Sequence, residues 1–179
     1  MSEVPQEEID KMNSLAKDLI FKRGEAIHWM TEIESVLDEL IVLNFIKREH
    51  GHLFLEILLW EDFPLRTKIR LFSKIPFKQQ DYIELQSETI AKLEKLSSIR
   101  NKFAHRLSLI SAEEAYLIDK EKKVFKVDEA QFNDFKNKAI HVLASLKWIL
   151  FAQQGIDISK IKFGKLESIP IDKIHSKYD

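Results

Sequence analysis

The chain has 179 residues, with 28 Lys and Arg against 29 Asp and Glu, so its formal net charge is −1 at pH 7. That balance gives no global attraction for nucleic acid, and any such contact must come from a local patch. The absence of cysteine excludes disulfides and thiolate metal sites, and 45% hydrophobic residues with only four Gly and four Pro point to one folded, helix-rich domain.

The opening residues are acidic and polar, unlike a secretion signal, and the longest apolar runs are too short to span a bilayer. A cytoplasmic protein with no membrane partner is expected. Residues 6–22 carry Ile9, Met12, Leu15, Ala16, Leu19 and Ile20 on one side of a short helix, which Gly24 interrupts. From about Glu25 to Glu49 a second, longer helix places Ala26, Met30, Ile33, Leu37, Leu40, Ile41 and Phe45 at three- and four-residue steps, stopping at His50-Gly51. Leu53 to Trp60 is apolar nearly all round and reads as a short buried helix. Asp62-Phe63-Pro64 breaks it and starts another with Leu65, Ile69, Leu71, Phe72 and Ile75.

Residues from about Asp81 to Arg106 contain no Gly or Pro and read as one long helix. Beyond it the period changes. Ala115 to Asp119 and Lys123 to Val127 flank a charged Lys120-Glu121-Lys122 turn and form a small hairpin. Asp128 then caps a last long helix with Phe132, Phe135, Ala139, Val142, Leu146 and Ile149 on its core face, ended by Gly155. Residues 1–155 make one domain, and 156–179 a lysine-rich C-terminal arm.

One stretch breaks the pattern. On the 81–106 helix, Leu85, Thr89, Leu93, Leu96 and Phe103 fall within roughly 60° of one line, and Arg100 lies in the middle of them. A cation on a core-facing stripe is costly unless it is paired, reaches out to water along its stem, or lines a functional cavity. Asn101 and His105 are an i,i+4 pair, with His105 roughly 140° from Arg100. His105 suits proton transfer near neutral pH, and the fixed positive fork of Arg100 suits phosphate oxygens. Asn101 can orient either. Lys102 and Arg106 flank them and either grip neighbouring phosphates or form a solvated charged face.

Arg100-Asn101-Lys102-Phe103-Ala104-His105 resembles the Arg-x4–6-His signature of the HEPN superfamily, with a polar residue after the Arg. Within that group the chain is most similar to the branch related to the mannitol-operon repressor. The similarity runs from Arg23-Gly24 through the 32–45 helix and Phe63-Pro64-Leu65-x-x-Lys68-Ile69 to His105, about half of the chain. It implies an all-α antiparallel helical bundle, here with a small β-hairpin inserted after the motif helix, and a homodimer in which two motifs line one cleft. It also implies one of two functions. The first is a metal-independent endoribonuclease of toxin, defence or stress type, with Arg100, Asn101 and His105 as catalytic residues, Lys102 and Arg106 as RNA contacts, and a cognate antitoxin as a natural partner. The second is a non-catalytic regulator, in transcription or otherwise, acting by protein or nucleic-acid binding. Neither requires a cofactor or metal.

Other constellations are weaker. Glu25-x-x-His28 has the spacing of a carboxylate-bridged iron site, but no second copy occurs. His50-Gly51-His52 reads better as a polar loop than as a chelate. Lys120, Lys122, Lys123 and Lys126 with Tyr116 and Phe125 either stack single-stranded bases or guard a hairpin edge. Trp29, Trp60 and Trp148 read as core or dimer contacts.

Overall fold

The computed structural model describes residues 5–47, 50–60, 63–111, 113–118 and 121–156, and only the backbone of 56–60, 105, 107 and 109. The arm from 157 onward, Lys120, and the side chains of Trp60 and His105 lie outside that description.

The fold is an all-helical bundle with a small antiparallel sheet: α1 (Gln6–Phe45), α2 (Gly51–Trp60), α3 (Leu65–Phe72), α4 (Gln80–His105), β1 (Leu107–Ile110), β2 (Ala115–Ile118), β3 (Val124–Lys126) and α5 (Glu129–Gln153). No helix among the described residues is long and apolar enough to cross a membrane.

Gly24 does not divide residues 6–45 into two helices. One 40-residue helix runs through it. The physical reason is that the buried residues keep a single phase across the glycine: Leu19, Ala26, Met30, Ile33, Leu37 and Leu40 follow at steps of seven, four, three, four and three. Burial along that line outweighs the roughly 1 kcal/mol that an interior glycine costs. The same phase leaves Ile9, Ile20 and Phe45 exposed, contrary to the expectation that they face the core.

Three long helices carry the core. Lys22 reaches Glu129 at 2.7 Å, Glu25 holds Lys136 at 2.9 Å, and Asn44 and Gln153 exchange two side-chain hydrogen bonds, so α1 and α5 run in the same direction. The helix α4 runs against both, with Arg23 beside its C-terminal end and Lys92 facing His141 of α5. Phe72, Leu93, Leu96, Leu117, Phe135 and Leu146 are buried between them.

At one end α3 closes the bundle. Pro64 precedes its first turn, and Gln86 of α4 donates to the carbonyls of Phe72 and Ile75 at 2.6 and 3.2 Å, tying α4 to the turn that ends α3. Lys68 of α3 and Asp38 of α1 form a buried ion pair at 2.8 Å. The neighbouring α2 is less enclosed than its composition suggests, since Leu53 is 57% exposed and Phe54 is also exposed.

At the other end the hairpin expected over 115–127 forms, but with a third strand. β1 follows α4 directly and pairs with β2 from Leu107↔Ile118 to Ile110↔Ala115, and β2 pairs with β3 through Leu117↔Phe125. Lys122 takes a positive φ of 62° at the turn, where no Gly or Asn is present. The chain then enters α5 under an Asp128 cap, whose Oδ1 accepts from the Gln131 N–H at 2.7 Å, and leaves it at Gly155 with φ 70°.

Candidate functional site

The last two turns of α4 carry Arg100, Asn101, Lys102, Phe103 and His105. Phe103 anchors them: its ring packs 6.0 and 6.4 Å from those of Phe132 and Phe135 on α5. With Leu93, Leu96 and Phe103 all buried, the face on which Arg100 lies is fixed toward the protein.

Arg100 is half-buried. Its Nε is sealed from solvent and has no hydrogen-bond partner, while Nη1 donates to the Asn101 side-chain oxygen at 3.3 Å. The two buried lysines behave differently. Lys22 holds Asp18 and Glu129 at 2.6 and 2.7 Å, and Lys68 holds Asp38 at 2.8 Å with Glu34 at 3.7 Å. Burial pushes the Lys22 ammonium down, but its hydrogen bonds to Asp18 and Glu129 more than offset this and raise it above its ordinary value. Among the described residues no carboxylate lies within ion-pair distance of Arg100.

The helix ends at His105 without a glycine. Arg106 is already extended, at φ −92° and ψ 147°. What holds this junction is Arg23 of α1: its Nε donates to the Phe103 carbonyl at 2.7 Å, Nη1 to Ser108 Oγ at 2.9 Å, and Nη2 to the Arg106 carbonyl. A guanidinium across the last carbonyls of a helix satisfies acceptors that would otherwise lack donors and opposes the negative end of the dipole. Arg23 thus positions the motif from 80 residues away, and no local pattern marks it for that task. The backbone of His105 is placed by this clamp; its side chain is among those not described.

Lys102 and Arg106 come together on one ring. Lys102 Nζ lies 4.4 Å from the centroid of Phe125 and the Arg106 guanidinium carbon 5.9 Å from it. Beside them a cavity of about 210 Å3 opens between α4, β3 and the start of α5, lined by Ile99, Lys102, Phe103, Phe125, Gln131 and Phe132 among others. Phe125 was expected on the hairpin; its role as the platform for both flanking cations appears only once the chain is folded.

Two of the remaining hairpin lysines are paired with carboxylates of the hairpin itself. Lys126 pairs with Glu114, which also accepts from the Tyr116 hydroxyl, and Lys123 pairs with Glu121 at 2.6 Å. The Lys126 hydrogen bond, with that of Tyr116, holds the Glu114 carboxyl below the usual range, and the Glu114 hydrogen bond raises both Lys126 and Tyr116. This arrangement fits the guarded hairpin edge better than a base-stacking strip. Glu25 of the Glu25-x-x-His28 pair is engaged by Lys136, and no cluster of three or more metal-ligating side chains occurs among the described residues. Trp29 is half-buried against the core and Trp148 is exposed.

No protein-family model, no curated protein and no solved structure matches this chain.

Proposed function

We propose that this chain is a HEPN-like, metal-independent endoribonuclease in which the C-terminal end of α4 engages an RNA phosphodiester. The observation that supports this reading best is the state of Arg100. A structural cation on a core-facing position has its donors taken up, by carboxylates as for Lys22 and Lys68 or by backbone carbonyls as for Arg23. Arg100 instead keeps a buried, unpartnered Nε, and among the described residues its side chain hydrogen-bonds to its neighbour Asn101. A cation held this way, with no carboxylate neutralising it and its Nη1 edge exposed, is preorganised for an incoming phosphate at that edge.

In the proposed reaction the 2′-oxygen of one nucleotide attacks the adjacent phosphorus and displaces the 5′-oxygen of the next. The products are a 2′,3′-cyclic phosphate and a 5′-hydroxyl. Arg100 stabilises the added charge on the equatorial oxygens, Asn101 orients the guanidinium, and His105 moves the proton at the attacking or leaving oxygen. Arg100 and His105 diverge around one helix, so two motifs in a homodimer supply the pair of proton-transfer groups that one copy lacks. Lys102 and Arg106, held over Phe125, meet the flanking phosphates.

The test is cleavage of single-stranded RNA by the purified chain in the presence of EDTA, beside His105→Ala. The expected result is cutting by the parent alone, with 2′,3′-cyclic phosphate ends. Binding of RNA without cutting, by a confirmed dimer, would replace the nuclease with the non-catalytic regulator. Equal cutting by both proteins would refute the site.

A further inference from the structure

The outer face of α1 is bare over its middle third and apolar at its centre. Ile20 is 69% exposed, Phe21 62% and Ile27 44%. Gly24 lies between them, also exposed, and a Cβ added there would meet nothing within 4 Å. Glycine inside a helix is unfavourable relative to alanine, and nothing within this chain requires its small size. A glycine at the centre of an exposed apolar helix face is explained by another backbone approaching it closely.

We propose that this face, centred on Gly24, is the contact between two copies of the chain, with the two α1 helices antiparallel about a two-fold axis through the glycine. The residues within about 60° of Gly24 include Lys17, Ile20, Phe21, Ile27 and His28, and Glu32 lies about 80° away on the same side as Lys17 and Phe21. A two-fold of this kind sets each residue i level with residue 48−i of the other copy and keeps each flank of the helix on its own side, so a side chain meets the same-flank residue one place before or after its level partner. On one flank Ile20 then meets the other copy's Ile27. On the opposite flank Phe21 meets His28, and Lys17 meets Glu32. Lys17 and Glu32 are both exposed, and neither has an ion-pair partner within the chain among the described residues. Ile20 packs on Ile27, the Phe21 ring lies against the His28 imidazole and the unmatched charges pair with each other, which selects a second copy in this register over an unrelated partner.

The register has a structural consequence. Arg23, next to Gly24, grips the end of α4. Because the two-fold preserves flanks, it sets both motif ends on one side of the dimer.

The experiment measures oligomeric state by sedimentation equilibrium of the full chain over a concentration series, with circular dichroism melts alongside. A dimer is expected for the parent. Gly24→Leu, whose Cβ would meet nothing within 4 Å in the chain, should leave the melting temperature of dilute protein unchanged or higher while weakening the dimer at least tenfold. Phe21→Glu should weaken it similarly. Lys17→Glu should weaken it less, and Lys17→Glu with Glu32→Lys should restore it. A parent that stays monomeric throughout, or a dimer indifferent to Gly24→Leu and Phe21→Glu, would overturn the proposal. Failure of the charge exchange to restore association would overturn the register. No RNA is involved, so the result stands apart from the nuclease reading.

Discussion

Three buried or half-buried cations, Lys22, Lys68 and Arg100, differ in what they face, and that difference separates support from function. Lys68 and Asp38 satisfy one another, although Asp38 Oδ1 is left without a partner. Removing one member strands a charge in the core, so Lys68→Met should destabilise the protein by about 3–5 kcal/mol in urea melts. The double change Lys68→Met with Asp38→Leu should recover most of that loss. Arg100 was conspicuous in the sequence because only its angular position was needed to see it. The lysines' roles were not legible, because their partners come from other turns and other helices. Lys68 was noticed only through resemblance, and Asp38 lies on α1, 30 residues away.

The elements are held at their ends by side chains from elsewhere, which sets how much of the architecture could be read in advance. The Asp128 cap was legible because its acceptor and the N–H it binds are three residues apart; Asp128→Ala should cost about 1 kcal/mol. The clamp on α4 was not, because Arg23 makes its contacts across 80 to 85 residues. Arg23→Gln should destabilise by roughly 2 kcal/mol and speed amide exchange around residues 103–108. Arg23→Lys should not rescue it, since one ammonium cannot span three acceptors in a fixed fork. The extra strand β1 escaped notice for a similar reason: four residues directly after a long helix show too little alternation to declare themselves. The unbroken α1 is legible in the apolar phase, which crosses Gly24 without a shift; an interior glycine marks a break only where that phase also changes.

The molecule as a whole is a three-helix core with a motif at one end and a buried ion pair at the other, and its response to pH should come from the latter. Burial pushes the Asp38 carboxyl above the usual range, against the hydrogen bond and charge of Lys68, and Glu34 adds to the rise; burial raises Glu39 as well, against Lys147. A carboxyl raised by folding contributes stability that is full below its unfolded value, near ~4, and is lost as pH rises through its folded value. Urea melts between those limits and neutral pH should therefore show a smaller decline for Asp38→Asn than for the parent.

The motif end is tested most directly by Arg100→Gln, with RNA cleavage and thermal stability measured on the same preparation. If Arg100 is held for a phosphate, removing a buried donor that has no partner should leave the melting temperature unchanged or higher, while cleavage falls by about 10²–10³-fold. A variant that melts several degrees lower yet cuts RNA at the parental rate would make Arg100 a structural residue and contradict the account.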